Sequence, residues 1–383
     1  MKVLQIVGAL NQASGGPLRA VLDLSARVER LGVESDVLGF GDVQIPDNPL
    51  PPARIHALEM SFPRSYCYSP RLREWCRKRL HEYDVVVLHS MWLYPMWAVS
   101  RECRTMGKPY VYFPHGMLDL WPIRGQGLLK RLKKTIYWYL REKGIAENAA
   151  SVWFTTAREM DNARQTFPIE RVTRIVIPYG IDTELHDQGL PRTELVQPPD
   201  RKIALFLGRL HPVKNVDLLI DCWKAAKLPD DWHLVLAGPC DAEYRRHLYV
   251  RIEESGLGKN VHFTGKVFGA DKSYLLRRAN WFLLPSHHEN FGIAVLEAIA
   301  AKCAVAISDQ VYLSDYFPDG CEVLPLQHPA WIDFMKNRMT NDSHRKSVMT
   351  KCRNELIQRF EIDVVSNSWV VSLRAAAATA TRG

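Results

Sequence analysis

The sequence lacks the spacings that mark a metal centre. Its eight cysteines are scattered between Cys67 and Cys352, with no C-x-x-C pair and no His/Cys spacing of the kind that binds zinc. Scattered thiols are typical of a reducing compartment, where they behave as small apolar side chains. We therefore expect no metal site and a cytoplasmic location.

Long apolar runs are missing as well. No stretch approaches the roughly 20 apolar residues that a membrane-spanning helix needs, so we expect any membrane contact to be peripheral, at the inner face. The opening residues, MKVLQIVGAL, resemble a signal peptide only superficially, because the apolar run is short and leads into glycines rather than a cleavage site. We interpret them as the first buried strand.

The size and charge of the chain suit a multi-domain protein. It has 383 residues, more than one ordinary core accommodates, without a low-complexity tract or internal repeat, so two domains are expected. The formal net charge is +8. That surplus favours contact with phosphate, anionic lipid or nucleic acid without choosing among them, and diffuse surface charge explains it equally well.

Short apolar runs alternate with longer amphipathic stretches. Continuous hydrophobicity is typical of strands buried on both faces of a parallel sheet, and alternation with helices predicts βαβ units. The strand candidates are 3–7, 84–88, 110–113, 152–154 and 175–177 in the first half, then 203–207, 234–237, 261–263, 281–284 and 304–307. The predicted fold class is α/β, with two doubly wound Rossmann-like domains facing across a cleft.

Prolines and charges interrupt the apolar pattern in 185–200, which we predict to be a linker. The first domain would span 1–184, and the second would begin with the strand after residue 200. Ligands of doubly wound sheets bind beyond the carboxyl ends of the strands, so the residues just after each strand are the candidates for a site.

Two features of the first half follow strands. Gly15 and Gly16 precede a predicted helix, where backbone N–H groups can approach a phosphate. The spacing is neither a dinucleotide fingerprint nor a P-loop, and a plain tight turn explains it too. His115 follows the strand 110–113 in a Pro-His-Gly bend. A histidine capping a buried carbonyl and a histidine facing a ligand are both consistent with that position.

The stretch 127–144, GLLKRLKKTIYWYLREKG, is predicted to be a basic helix with one apolar stripe. The pattern suits a helix lying on an anionic membrane surface, and equally an ordinary surface helix whose stripe faces the core. We favour the ordinary helix, because the stripe is narrow and Glu142 dilutes the charge. The stripe consists of Leu129, Leu132, Ile136 and Leu140.

Cations follow the first strand of the second half. Arg209 offers a planar fork for phosphate oxygens, and Lys214 offers a point charge close to a helix predicted from about Val216. Together they are candidates for a diphosphate clamp, although two solvated cations on a loop would give the same pattern.

A later polar turn adds two carboxylates. Glu289 lies just outside a predicted helix, and Glu297 lies about two turns inside it. Asn290 is the predicted N-cap, which would leave the N–H groups of Phe291 and Gly292 available to a phosphate. A carboxylate in the apolar stretch around Glu297 needs a partner, and either ribose hydroxyls or a nearby Lys or Arg would supply it.

These residues resemble a known family, the retaining GT-B glycosyltransferases of family four, also called group-one glycosyl transferases. The resemblance covers nearly the whole chain and is densest between 203 and 310. The residues that carry it are Gly-Arg-Leu…Lys-Asn at 208–215, Leu-Ala-Gly-Pro at 236–239, Phe-Thr-Gly at 263–265, the pair Glu289 and Glu297, and, more loosely, Gly15-Gly16, His115, Thr155…Glu159 and Ile177–Asp182.

The resemblance implies a metal-independent retaining hexosyltransferase that needs no cofactor besides its co-substrate, a UDP- or GDP-sugar. The acceptor would be a glycan or lipid-linked molecule of surface polysaccharide or glycoconjugate biosynthesis. The donor would bind to 201–358, and a C-terminal helix in 359–383 would return to the first domain. The implied catalytic residues are His115, Arg209, Lys214 and Glu289, and the implied donor-binding residues are Gly15, Gly16, Arg209, Lys214, Glu289, Asn290, Phe291, Gly292 and Glu297.

By the same resemblance, Arg209 and Lys214 hold the diphosphate, Glu297 binds the ribose and Glu289 binds the transferred sugar. Gly16 would lie near the diphosphate, and His115 would contact the sugar.

The chain departs from the family pattern in three places. Lys302 and Ala304 stand where glycine and proline are common, and Tyr179 stands where asparagine precedes Gly-Ile-Asp. The residues 309–312 stand where a glycine-rich turn often follows the next strand. They leave the base and the sugar of the donor open. A nucleotide-sugar epimerase or hydrolase would need more acid–base residues in the first domain than His115 and Asp119. A non-catalytic glycan-binding scaffold is the other alternative, and we expect no nucleic-acid partner.

Overall fold

The structure is a computed structural model that describes residues 1–11, 15–44, 49–51, 54–120, 127–169, 171–183, 190–195 and 200–381. The chain forms two compact units. The first comprises Met1–Gly180 and Ile362–Gly383, and the second comprises Ile181–Glu361. Most of the predicted linker, 185–200, lies outside the described residues.

The first unit is built on a seven-stranded sheet with the order β3-β2-β1-β4-β5-β6-β7, in which neighbouring strands are parallel. The chain fills one edge of the sheet from β1 to β3 and then crosses to β4, which makes the sheet doubly wound. The strands are β1 (Lys2–Asn11), β2 (Glu34–Gln44), β3 (Ile55–Leu58), β4 (Val85–His89), β5 (Tyr110–Phe113), β6 (Ser151–Phe154) and β7 (Thr173–Val176).

Helices join these strands. Those described in the first unit span Gly15–Val28, Leu72–Arg79, Tyr94–Thr105, Leu128–Tyr137, Lys143–Glu147, Ala157–Thr166 and Ile362–Ala377, with a π-helical turn at Trp138–Glu142.

The sequence did not predict β2 and β3. Polar residues interrupt the apolar run of β2, and Asp36 is one of them. The carboxylate of Asp36 is buried, and it accepts hydrogen bonds from the Tyr83 hydroxyl at 2.9 Å and the Arg54 guanidinium at 3.0 Å. These contacts hold its pKa below the ordinary value despite burial. Tertiary partners therefore make a polar strand stable in the sheet.

The second unit has a six-stranded sheet of order β10-β9-β8-β11-β12-β13, again parallel throughout. The sequence did not predict β13, which has only three residues. The strands are β8 (Lys202–Leu207), β9 (Trp232–Ala237), β10 (Val261–Gly265), β11 (Trp281–Leu284), β12 (Ala304–Ser308) and β13 (Glu322–Leu324). The described helices span Val216–Ala226, Ala242–Glu254, Gly269–Arg278, Ile293–Ala300, His328–Asp333 and Asp342–Arg359, with a π-helical turn at Phe334–Met339.

The C-terminal helix Ile362–Ala377 belongs to the first unit. Its Trp369 is buried and packs edge-on against Trp153 of β6, with ring centroids 5.8 Å apart. Asp363 near its start pairs with Arg27 at the end of the first helix. A large aromatic contact and a surface ion pair therefore fix the helix to the first sheet.

The basic stretch contradicts the interpretation that we favoured from its pattern. The four side chains of the predicted stripe are exposed and do not face the core. The buried side of the stretch is instead formed by Trp138, Glu142, Ile145 and Ala146. Within the described ranges, no helix is long and apolar enough to cross a membrane.

A close backbone approach joins β8 to β9 where the two strands end. Gly238 has a φ of 142°, and a Cβ on it would lie 1.9 Å from the carbonyl oxygen of Gly208. The N–H of Gly208 donates to the carbonyl of Ala237 at 2.9 Å, and that of Leu210 donates to Pro239 at 2.9 Å. The turn after β8 is therefore set by the absence of a side chain at residue 238.

We predict that Gly238→Ala lowers the free energy of unfolding of the second unit by about 3 kcal/mol or more, through backbone strain plus the clash. Gly256→Ala is the matched control: Gly256 has a φ of 69°, and a Cβ there meets no atom within 4 Å. Strain alone should cost about 1 kcal/mol there. Urea denaturation followed by tryptophan fluorescence measures the free energy of unfolding of each variant. Equal losses in the two variants would contradict a clash at residue 238.

Candidate functional site

The cations of the second unit lie in a turn that its own hydrogen bonds hold in place. After β8 the turn Pro212–Lys214 begins where the ring Nδ1 of His211 accepts the N–H of Val213 at 3.2 Å. Burial and the charge of Arg209 lower the pKa of His211, so its ring is neutral and can accept. Arg209 is exposed, whereas Lys214 is partly buried.

The carboxylate Glu289 lies in a loop held from two sides. His287 N donates to the carbonyl of Val213 at 2.8 Å, which joins the loop after β11 to the turn after β8. On the other side, Glu289 N donates to Gln310 O at 3.2 Å, and Tyr312 N donates to Glu289 O at 3.1 Å. Because β8, β11 and β12 are neighbours in the sheet, the loops that follow them meet at one edge.

This arrangement pairs Lys214 with Glu289, two residues to which the sequence analysis gave separate roles. The Lys214 ammonium forms an ion pair with the Glu289 carboxylate, and both side chains remain partly accessible. The pair satisfies the carboxylate when no sugar is bound. It also offsets the charge of Lys214, so an incoming anion competes with Glu289 for the same ammonium.

The start of the following helix differs from the prediction. The helix is Ile293–Ala300, and its N-cap is Gly292 in a left-handed conformation, not Asn290. The prediction missed that Tyr312 and Gln310 bond the backbone of Glu289, which holds the preceding loop outside the helix. The Phe291 side chain is buried and packs against Phe360, with centroids 5.9 Å apart, so it anchors the loop to the core.

Glu297 also has a lysine partner. Its Oε1 lies 2.5 Å from the Nζ of Lys272, which belongs to the helix Gly269–Arg278. Both groups are partly exposed. A lysine partner was one of the two options for this carboxylate, but no spacing in the sequence pointed to Lys272. The second unit therefore carries two parallel Lys–Glu pairs, one before the helix start and one inside the helix.

In the first unit, a buried carboxylate shapes the bend that carries His115. Glu159 accepts hydrogen bonds from Gly116 N at 2.6 Å and from Thr155 N and Oγ1, each at 2.7 Å. His115 itself has a φ of 52°, in the left-handed region that few residues other than glycine adopt. The Thr155…Glu159 part of the pattern thus holds the histidine at the end of β5.

A chain of hydrogen bonds fixes the tautomer of His115. The Gln5 Oε1 can only accept, so His89 Nε2 at 2.7 Å must donate to it. His89 Nδ1 then accepts from His115 Nε2 at 2.8 Å. His115 Nδ1 is left to accept the hydroxyl proton of Tyr179. Tyr179, the residue that departs from the family asparagine, therefore orients the histidine.

Burial keeps His89 and His115 neutral. It lowers the pKa of His115 to about 3 and that of His89 well below its ordinary value. Both ring nitrogens of His115 are used within this row of hydrogen bonds, and the neutral ring does not supply a positive charge near neutral pH.

The glycines Gly15 and Gly16 begin the first helix, which runs to Val28. Residues 12–14, the preceding part of the predicted turn, lie outside the described residues. Within the ranges that the structure describes, no three His, Cys, Asp or Glu side chains come together as metal ligands.

We predict that acid destabilises the first unit through these histidines. The folded pKa of His115, about 3, is depressed below the unfolded value of about 6.5, so its contribution is complete above pH 6.5 and is lost as pH falls towards 3. Between pH 7.5 and 5 the loss should be about 2 kcal/mol in denaturant titrations.

The variant His115→Gln should remove the share of this pH dependence that belongs to His115, about 2 kcal/mol, and leave the share of His89. The variant His81→Gln, at an exposed position of the same unit, should retain the full dependence. An unchanged slope in His115→Gln would show that His115 is not the group that titrates.

Family models match both halves of the chain. Residues 15–180 match the model described as "Glycosyl transferase 4-like domain", and residues 190–321 match "Glycosyl transferases group 1". The match over 190–321 contains the two Lys–Glu pairs. The match over 15–180 contains His89, His115 and Tyr179, whose hydrogen bonds are described above.

Two named relatives match most of the chain. The chain is 27% identical over 340 residues to D-rhamnosyltransferase WbpZ of Pseudomonas aeruginosa, covering 85% of this chain and 83% of the relative. It is 25% identical to mannosylfructose-phosphate synthase of Agrobacterium fabrum, covering 77% and 71%.

Solved structures share the fold. HepE of Anabaena, in complex with UDP and glucose, matches with a TM-score of 0.76 at 17% identity, over 98% of this chain and all of that one. Sucrose-phosphate synthase of Thermosynechococcus elongatus matches with a TM-score of 0.76 at 20% identity, over 99% of both chains. The chain therefore belongs to the group 1 glycosyl transferases, and it is a glycosyltransferase with the two-domain GT-B fold.

Proposed function

We propose that this chain transfers a hexosyl unit from a nucleotide-diphosphate sugar, with retention of configuration, to a glycan or lipid-linked acceptor of surface polysaccharide or glycoconjugate biosynthesis. The observation that carries the proposal is the pair of Lys–Glu contacts in the second unit, Lys214 with Glu289 and Lys272 with Glu297. One pair lies before the start of the helix Ile293–Ala300 and the other involves Glu297 inside it, a spacing that suits a ligand with a charged centre and hydroxyls at both ends.

The diphosphate is assigned to Arg209 and Lys214. Arg209 is exposed beside the fixed turn and presents a planar fork that matches phosphate oxygens. Lys214 would exchange its pairing with Glu289 for the stronger charge of the diphosphate. The start of the helix Ile293–Ala300 carries the positive end of the helix dipole, which favours an anion.

The same exchange prepares Glu289 for the sugar. Once Lys214 turns to the phosphate, the Glu289 carboxylate can accept hydrogen bonds from sugar hydroxyls, while its backbone stays bonded to Gln310 and Tyr312. Glu297 would take the ribose hydroxyls, with Lys272 beside its carboxylate. Charge grows on the departing phosphate as an oxocarbenium-like state forms, and the fixed cations stabilise that charge.

Names of relatives guide the choice of donor. WbpZ is named a rhamnosyltransferase, and HepE was solved with UDP and glucose. UDP- and GDP-sugars are therefore the donors to test. Retention is proposed from the family pattern of Glu289 and Glu297, with the leaving phosphate acting as the base. His115 is proposed to contact the sugar as a neutral ring, because its pKa of about 3 excludes a charged role. A hydrogen bond to the substrate would replace its bond to Tyr179 or to His89.

The first prediction concerns Glu297. Glu297→Ala should weaken binding of the preferred UDP- or GDP-sugar about tenfold or more, because hydrogen bonds to a carboxylate are lost. Isothermal calorimetry against UDP-, GDP- and ADP-sugars measures it. Glu243→Ala, an exposed carboxylate of the same unit, is the matched control and should bind normally. If none of the nucleotide sugars binds the wild-type chain, the donor assignment fails.

The second concerns Arg209. Arg209→Ala should lower kcat about 10²-fold while leaving binding of the free nucleoside unchanged, because the guanidinium acts on phosphate charge that grows during transfer. Arg246→Ala, an exposed arginine of the same unit, is the control. The assay follows transfer in excess EDTA, where we expect full wild-type activity. Activity that disappears with EDTA and returns with a divalent cation would refute the metal-independent role of these cations.

A further inference from the structure

One surface of the first unit is strongly apolar and largely exposed. On the helix Leu128–Tyr137 and the π-helical turn after it, Leu129 is 85% exposed and Leu140 is 73% exposed. Leu132 and Ile136, between them on the same side, are 58% and 51% exposed. We call these four residues the outer stripe. Side chains of this size are rarely exposed as a contiguous row in a monomeric protein without a binding role.

The exposure does not come from a detached helix. Trp138 is buried and stacks on Phe167 with centroids 4.7 Å apart. The Glu142 carboxylate is buried too, and it accepts hydrogen bonds from Trp92 N at 2.7 Å and from the Tyr112 hydroxyl. The segment is thus anchored to the core by one side while the outer stripe lies on another. The segment therefore has two apolar sides, of which one packs on the core and the other is exposed.

The charges around the outer stripe are all positive. Lys130, Arg131 and Lys133 are exposed, and the described residues provide no ion-pair partner for them. The only carboxylate between 127 and 144 is Glu142, which is buried and whose pKa is raised to about 7. It therefore does not dilute the surface charge, contrary to our expectation from the sequence.

Tyr139 is 66% exposed beside the stripe. A row of leucine and isoleucine flanked by cations, with a tyrosine at its edge, matches the boundary between acyl chains and anionic headgroups. A protein partner would need an acidic rim around an apolar groove, whereas a bilayer supplies both layers along the whole length of a helix.

We propose that this helix docks on an anionic phospholipid bilayer, lying in the interface with the outer stripe inserted and Lys130, Arg131 and Lys133 among the headgroups. Docking of this kind is independent of the donor chemistry proposed above, so it can be tested without any activity assay.

The test is flotation of the full chain with vesicles of phosphatidylcholine, with and without phosphatidylglycerol. The wild-type chain should float only with the anionic vesicles, and high salt should release it. The variant Leu129→Glu/Leu140→Glu should lower the partition coefficient about tenfold or more, because two carboxylates would have to enter the bilayer interface in place of two leucine side chains. The control Val250→Glu/Val371→Glu changes exposed apolar residues elsewhere and should float like wild type.

A charge series tests the headgroup contact. Lys130→Gln/Lys133→Gln should lower partitioning about fivefold for each cation removed, whereas Lys346→Gln/Lys351→Gln, two exposed lysines of the second unit, should not. Thermal unfolding checks that each variant is folded.

Three results would overturn the proposal. One is flotation that does not depend on the outer stripe. Another is equal binding to uncharged vesicles. The third is self-association through the stripe, seen by sedimentation velocity without vesicle binding, which would make a second copy of the chain the occupant.

Discussion

The site in the second unit depends on one backbone hydrogen bond, from His287 N to the carbonyl of Val213. It joins the loop after β11 to the turn after β8, two strands that are adjacent only because the chain crosses over in the sheet. The order of the strands brings the two loops to one edge of the sheet, and this bond fixes them to each other, so that Lys214 and Glu289, 75 residues apart in sequence, form an ion pair. The start of the same turn is set by Gly238, which lets Gly208 approach β9 closely.

Charge compensation is the second constraint. Each carboxylate of the family pattern is paired with a lysine, so neither is an isolated charge in a partly buried place. Such pairs are stable without ligand and exchangeable with it, since a diphosphate offers a lysine more negative charge than a carboxylate does. The first unit contains neutral histidines instead: burial lowers the pKa of His89 and of His115, and oriented hydrogen bonds from Gln5 to Tyr179 hold both rings.

Some elements of the structure could be predicted from the sequence because they depend on local patterns of apolar residues. Ten of the strands were predicted from continuous apolar runs, since strands buried on both faces need such runs. Strand β2 was missed, because its buried Asp36 needs Tyr83 and Arg54, which are distant in sequence. The N-cap was misplaced at Asn290 because contacts with Gln310 and Tyr312 decide where that helix can begin. The outer stripe was assigned to the core because periodicity shows that a side is apolar and not what covers it.

The sequence by itself determined the fold class, the family and the residue types of the candidate site, because these follow from apolar periodicity and from short motifs placed after strands. Only the tertiary structure decided the partners: Lys272 for Glu297, Lys214 for Glu289, and Tyr179 with His89 for His115. The physical reason is that a side chain's charge state and orientation are set by its neighbours in space. The order of the strands brings groups that are distant in sequence together, and spacing along the sequence does not show which groups these are.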